Sequence, residues 1–246
     1  MFHFHFPTFH HTNTQEVMAP SLYTLLAAGS LITAAFARPA PEAQREAGNR
    51  GNGNNSKWHR YSTDELQQLK PSMPTLDGLA SNSNVTLFVP VLGIGNQNYT
   101  CNGTHFVQTE ASSGATADLF DITALLMNDA SVVDTIAEDH QDGQLEGLGP
   151  QVGLHYFSED HVPVFNLTEA PEEAVLAGKK VAGVDAPCKE SDIPWLFIQD
   201  AGNGVSKKLN TVYRVDTDRG TPKRDTCREV GKTKVKPYAA QYWFFY

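Results

Sequence analysis

The sequence predicts an all-β domain, an antiparallel β-sandwich or open barrel with a few short helices, and three observations carry that expectation. Short segments rich in β-branched and aromatic residues recur from Val85 to the C-terminus, each bounded by Gly, Pro or Asn. Helical periodicity is confined to brief stretches, so the regular alternation of strands with longer helices that builds a doubly wound parallel sheet is missing. The chain ends on Tyr238-Ala239-Ala240-Gln241-Tyr242-Trp243-Phe244-Phe245-Tyr246, with large residues at both parities. A strand apolar on both faces belongs between two layers, and at the terminus it is expected to close the core.

The elements follow in chain order. Ser62-Thr63-Asp64-Glu65-Leu66 has the form of a capping box, Ser62 as N-cap and Glu65 three residues on, opening a short helix that Pro71 stops. Strands are expected at Val85–Val89, Gln97–Cys101, Gly153–Phe157, Val162–Phe165, Trp195–Ile198 and Thr211–Val215, before the terminal strand. Asp200-Ala201-Gly202-Asn203-Gly204 supplies a turn signal, so Trp195–Ile198 and Thr211–Val215 are expected to pair as a long-looped hairpin. Remaining helical pattern lies in Asp121–Met127, Ser131–Ala137 and a turn or two after Pro171. No internal repeat is evident.

Domain organisation and compartment come from the other end of the chain. Leu22 to Ala37 is an apolar run ending in the small-x-small triplet Ala35-Phe36-Ala37, ahead of Arg38-Pro39. It has the length of a signal-peptide core rather than the roughly 20 apolar residues of a membrane span. Residues 1–37 therefore read as a signal peptide. Met1 to Val17 carries four histidines and no Lys or Arg, which makes Met18 the expected start of translation, although a histidine tract can also bind metal. Residues 38–57 are Pro, Ala, Gly, Asn and charge, a composition that cannot offset its ordering entropy, so they read as a disordered leader. Residues 58–246 read as a single β-rich secreted domain.

Composition narrows the partners. The 246-residue chain has a net charge of -9. That gives no electrostatic reason to bind nucleic acid or anionic lipid. Asn54, Asn84, Asn98, Asn102 and Asn166 head Asn-x-Ser/Thr acceptor sites, which agree with export and are expected on surface loops or exposed strand edges. In an oxidising compartment the three cysteines, Cys101, Cys188 and Cys227, are expected to give one bridge and one odd thiol, and their spacing does not choose the pair. No close Cys-x-x-Cys pair prearranges a zinc site.

Candidate chemistry is sparse. His155, in an aromatic-flanked strand, is the candidate catalytic histidine, with Asp121 as its candidate acidic partner. His155, Glu159 and His161 form a conceivable metal set if the chain folds back at Ser158. Against it, His155 and Glu159 stand about 13 Å apart on one extended strand. A half-buried histidine donating to a backbone carbonyl is the preferred reading. Asp118 and Asp121 could act as a glycosidase-like carboxylate pair, but Asp121 capping the following helix explains that acid without catalysis. Arg214 and Asp216 at i,i+2 share one face of an expected strand, as anion ligands or as an in-sheet ion pair. The aromatic end, Tyr242 to Tyr246 with Trp195, suits either core packing, which is preferred, or a groove for a carbohydrate or small apolar ligand. There is no Gly-x-Ser-x-Gly nucleophile elbow.

The order of motifs is itself informative. Gln97-Asn98-Tyr99-Thr100-Cys101, Ala115-Thr116-Ala117-Asp118-Leu119-Phe120-Asp121, Leu154-His155-Tyr156-Phe157, Pro163-Val164-Phe165, Ile193-Pro194-Trp195-Leu196, Val212-Tyr213-Arg214-Val215-Asp216-Thr217, Cys227 and the closing Tyr238–Phe244 run resemble a secreted family common in filamentous fungi. It is called domain of unknown function 3455, and its members often carry the label malate dehydrogenase. The resemblance runs from about Leu76 to Tyr246. It implies pairing of Cys101 with Cys227, which leaves Cys188 odd. Where the family usually shows Gly-Gly after this segment, the chain has Asp218-Arg219-Gly220, so that loop is expected to differ in shape.

The label, an NAD-dependent malate dehydrogenase, is the least favoured reading of the residues. A dinucleotide site needs Gly-x-Gly-x-x-Gly between a strand and a helix, so that backbone amides meet the pyrophosphate. Gly93-Ile94-Gly95 supplies two glycines and leads into a strand-like segment. No cofactor is expected. The sequence reading is therefore a secreted glycoprotein, non-enzymatic and cell-wall-associated or ligand-binding, with a hydrolytic or metal-assisted enzyme centred on His155 as the alternative.

Overall fold

The computed structural model describes residues 59–246 apart from 77, 82–83, 110–113, 171 and 223–225. The signal and leader segments, Asn54 and Pro171 lie outside the described residues.

Among the described residues nine antiparallel strands form one sheet, eight of which close into a barrel. They are β1 (Leu87–Cys101), β2 (Phe106–Gln108), β3 (Ala115–Asp121), β4 (Gln151–Phe157), β5 (Pro163–Asn166), β6 (Val175–Val184), β7 (Trp195–Asp200), β8 (Thr211–Arg219) and β9 (Thr233–Phe245). The sheet order is β2-β1-β3-β4-β5-β6-β7-β8-β9, and β9 pairs back onto β1. The expected antiparallel all-β architecture is present, as a barrel of eight strands that is closed; β2 is a short flap on the end of β1. The β7–β8 hairpin forms as the turn signal predicts.

Several boundaries differ from the sequence expectation. The two segments at Val85–Val89 and Gln97–Cys101 are parts of one strand, β1, which runs through Gly93 and Gly95 without a turn. A Cβ on Gly93 would stand 2.5 Å from Cε2 of Tyr242, so the glycine makes room for that ring on the inner wall. Among the described residues after position 171 there is no helix; β6 begins at Val175 instead. Strands β2, β3 and β6 have no counterpart among the expected strands.

The short helices lie on the outside. α1 (Thr63–Leu69) opens with the capping box: Glu65 N–H donates to Ser62 Oγ (3.3 Å) and Ser62 N–H donates to Glu65 Oε2 (2.7 Å). A 3₁₀ turn over Lys70–Ser72 ends it at Pro71. α2 (Thr123–Asn128), a 3₁₀ turn at Ala130–Asp134 and α3 (Ile136–His140) follow β3.

Two apolar clusters explain the terminal strand. Inside the barrel, Tyr238, Ala240, Tyr242 and Phe244 of β9 meet Val89, Val91, Leu119, Phe165, Leu176 and Val212. On the outer face, Ala239, Trp243 and Phe245 meet Leu126, Val133 and Ile136 from the helical layer and Phe197 and Tyr213 from β7 and β8. Every residue of β9 from Tyr238 to Phe245 is buried. The strand is thus apolar on both faces because it separates two cores, and truncating one of its large rings would cost about 3–5 kcal/mol.

One polar network crosses the outer core. Gln241 is fully buried; its Nε2 donates to Asp216 Oδ2 (2.7 Å) and to the Val133 carbonyl, and its Oε1 accepts from Trp243 Nε1 (3.0 Å). Asp216 occupies a bulge in β8, with φ of 41°, where the register shifts between Val215 and Thr217. Burial pushes its carboxyl up to about 6.

Cys101 and Cys227 form a disulfide, and Cys188 is a free, exposed thiol. The bridge joins the end of β1 to the segment before β9 across 126 residues of chain, so it removes a large loop-closure freedom from the unfolded state. Replacing both Cys101 and Cys227 with Ser is expected to cost about 2–5 kcal/mol in denaturant unfolding. Cys188→Ser should leave the midpoint unchanged, and a native thiol titration should find one thiol per chain.

Candidate functional site

From Val89 onward the barrel alternation puts odd-numbered β1 residues inside, so Gln97 and Tyr99 project into one end of the lumen. Residues from β4 to β9 meet them there around a cavity of about 470 Å³. That volume lies within the range of small-molecule sites, roughly 300–1,000 Å³. Its walls are apolar over Phe157, Phe165, Ile193, Leu196 and Ile198, and polar where His155, Arg214 and Tyr242 converge.

Arg214 is the half-buried cation of the inner wall, and the exposed Lys179 and Lys180 of β6 line the same cavity. Its Nε and Nη2 both donate to the Pro194 carbonyl (3.2 and 2.8 Å), which ties the guanidinium to the start of β7. Its charge also acts on the nearby Tyr242, Tyr99, Tyr238 and His155. Among the described residues no carboxylate pairs with it.

A chain of neutral groups surrounds this charge. The Tyr238 and Tyr242 hydroxyls are 3.0 Å apart, and burial raises both phenols far enough to keep them protonated. Tyr99 donates to the Gly220 carbonyl (2.8 Å) and is pushed up to about 12, chiefly by burial. Gln97 accepts from Gln108 Nε2 (3.1 Å), while its own Nε2 stands near the Tyr238 hydroxyl without the geometry of a hydrogen bond.

His155 is 4 % exposed, stacked on Phe165 at 4.3 Å with its Nδ1 3.0 Å from the Val164 carbonyl. The carbonyl requires a proton on Nδ1, so the neutral ring turns Nε2 bare toward its surroundings. Burial pulls its pKa down to about 4. The histidine is therefore uncharged at neutral pH; it meets a backbone carbonyl as expected, but it is buried where the sequence predicts a half-buried ring.

The remaining candidates are scattered. The chain does fold back after Ser158, but Glu159, Asp160 and His161 are exposed at the tip of the β4–β5 hairpin; of the three only His161 reaches the cavity that the buried His155 lines. Among the described residues no group of three or more His, Cys, Asp or Glu stands together as a metal set. Asp121 is not beside His155 either: His155 pairs with Ala117, and Asp121 lies four residues further along β3, about 13 Å away. Asp118 points outward and accepts from Gln151 Nε2 (2.8 Å), whereas Asp121 is buried at the end of the strand and its Oδ1 accepts the Thr123 N–H (2.8 Å). The two acids face opposite sides of β3 and do not form a pair; Asp121 meets the first turn of α2, close to its expected role as a cap. Arg214 and Asp216 do not share a face, because the bulge at Asp216 reverses the alternation between them.

Of the acceptor asparagines, Asn84 and Asn102 are exposed, while Asn98 and Asn166 are half-buried within β1 and β5. Gly93-Ile94-Gly95 lies mid-strand between β3 and β9, with no helix N-terminus beside it to receive a pyrophosphate.

Fold and cavity define the chain as a closed, eight-stranded antiparallel barrel with a partly apolar lumenal pocket and one arginine at its mouth. The chain belongs to the family described as protein of unknown function (DUF3455), whose model matches residues 81–246. The family assignment made on the order of motifs is correct. No curated protein and no solved structure matches the chain. Among the described residues no helix is long and apolar enough to cross a membrane.

The sign of His155's contribution to stability follows from its depressed pKa. The unfolded chain takes up this proton near pH 6.5 and the folded one only near 4, so the contribution is full above pH 6.5 and is lost as pH falls toward 4. Relative to His155→Phe, the wild type should lose about 3 kcal/mol between pH 7 and pH 4 in thermal or urea unfolding.

Proposed function

We propose that the chain is an extracellular binding protein whose barrel lumen holds a small ligand with an apolar body and a carboxylate head. Arg214 carries the reading: a guanidinium fixed to the Pro194 carbonyl, set among tyrosine hydroxyls, with no carboxylate among the described residues against it. A planar guanidinium takes a carboxylate through two parallel hydrogen bonds, and the Tyr242 hydroxyl adjoins it to donate a third. Behind the head, Phe157, Phe165, Leu196 and Ile198 offer an apolar surface for an aliphatic or aromatic body. An eight-stranded barrel has an interior of the size that holds one such ligand.

Export is supported by the apolar run Leu22–Ala37, by the acceptor sites at exposed Asn84 and Asn102, and by the Cys101–Cys227 bridge, which suits an oxidising compartment. Asn84 and Asn102 are exposed, as glycan attachment requires. The buried His155 stays in this reading as a neutral wall of the pocket.

The test is a thermal-shift and calorimetric screen of the glycosylated protein against medium-chain and aromatic carboxylic acids, each beside its primary alcohol. Acids should raise the melting temperature and alcohols of the same carbon skeleton should not. Arg214→Leu should weaken acid binding about 10- to 100-fold, and Arg214→Lys should restore part of it, since a hydrogen bond to a charged group contributes about 1.5–3 kcal/mol. Equal binding of acid and alcohol, or affinity unchanged in Arg214→Leu, would remove the arginine from the reading.

A further inference from the structure

We infer a second binding site, for a neutral saccharide, at the opposite end of the barrel from Arg214. There the start of β1, the ends of β3 and β9 and the approach to α1 enclose a cavity of about 340 Å³. A single hexose fits within that space, and the terminal unit of a longer glycan can enter it from solvent.

Three features of the lining select this class of ligand. The first is a buried acceptor. Asp121 is 7 % exposed, and one of its oxygens accepts the Thr123 N–H at 2.8 Å while the Thr123 hydroxyl lies close by without hydrogen-bonding geometry. The rest of the carboxyl is open to donors arriving in the cavity, and burial holds its pKa above the usual carboxylate range. The second is charge balance. Arg60 and Lys208 face Asp121 and Glu172 around the same space, and Lys208 Nζ is already 3.6 Å from Glu172. An ion of either sign meets an opposing charge of its own sign, whereas a polyhydroxylated molecule, with donors and acceptors on every carbon, can use both kinds of group. The third is aromatic. Phe88 and Tyr246 meet edge to face at 6.2 Å, and with Tyr61 they give an apolar wall for the C–H face of a sugar ring.

Two of these groups are anchored by the fold. Tyr246 exchanges backbone hydrogen bonds with Thr86, and Lys208 sits over the Tyr246 ring at 4.2 Å, so ring and ammonium keep a fixed relation at the edge of the cavity.

The experiment is saturation-transfer NMR and calorimetry on the full chain with glucose, galactose, mannose, N-acetylglucosamine and their disaccharides, beside glucosamine and glucuronate as charged controls. The expected result is binding of at least one neutral sugar at millimolar or tighter affinity. Asp121→Asn should weaken it at least tenfold while leaving the melting temperature unchanged or raised, since the amide still accepts from Thr123 and carries no buried charge. Tyr246→Leu should weaken the same sugar. No neutral sugar bound at 10 mM, a charged control that binds more tightly than every neutral sugar, or sugar affinity unchanged in Asp121→Asn overturns the inference.

Discussion

Everything in this protein depends on the pairing of β1 with β9. The two strands run antiparallel from Leu87 opposite Phe245 to Thr100 opposite Thr233, and this ladder turns a sheet into a barrel. Closure removes the two long edges that an open sheet of this size would present to solvent and to other chains. It also fixes the parity of every residue on both strands. A slip of one residue would carry Tyr242 and Phe244 out of the lumen and Trp243 and Phe245 into it, exchanging two cores that are packed around rings of different shape. The disulfide acts at the far end of the same ladder, where β1 stops and the segment leading into β9 approaches, so covalent and hydrogen-bonded closure reinforce one another.

The contents of the barrel follow from its size. An eight-stranded barrel is just wide enough to be filled by side chains or to hold one small molecule, and this one does some of each. Phe165, Tyr242 and Phe244 lie within 5.3 to 6.4 Å of one another and plug the middle. Space is left toward the ends, and polar groups accumulate there: Arg214, Tyr99 and Gln97 at one, Asp121, Thr123 and Lys208 at the other. The outer helices do different work. They cover the outward face of β1, β8 and β9, which is why those strands are apolar at both parities, while the outer face of β4 keeps Leu154 and Tyr156 partly exposed.

How far the sequence speaks can be judged element by element. The terminal strand was legible because nine residues with rings at both parities have no stable place except between two layers. The α1 capping box was legible because it is local, two residues three apart satisfying each other's backbone. β6 was not: Gly178, Lys179 and Lys180 break the apolar pattern, and the strand exists because β5 and β7 hold it on either side. The single strand β1 was read as two because glycine usually weakens a strand, whereas here Gly93 gives its space to the Tyr242 ring, a contact 149 positions away in sequence. The site was less legible than the fold. His155 stood out as a chemical residue in an aromatic strand and proved to be a buried wall, while Tyr99 and Tyr238 carried no local signal at all. Their convergence depends on barrel register, which no short motif encodes.

The position of Arg214 shows how a local irregularity serves the site. On a regular strand Arg214 and Asp216 would face the same side, and the acid would neutralise the base within the sheet. The extra residue at Asp216, held at a φ that L-residues rarely adopt, turns that carboxyl outward onto Gln241. Thr217 then resumes the inward parity, its hydroxyl donating to the Ile193 carbonyl at 2.6 Å. The cost of the strained backbone and of a half-buried acid is offset by the Gln241 network, which also ties the Trp243 indole and the 3₁₀ turn at Val133 to the barrel. Inside, the result is a guanidinium without its neighbour's carboxylate, facing tyrosines that burial keeps neutral. The bulge thereby separates two charges that the sequence places side by side, and that separation leaves the lumen its positive mouth.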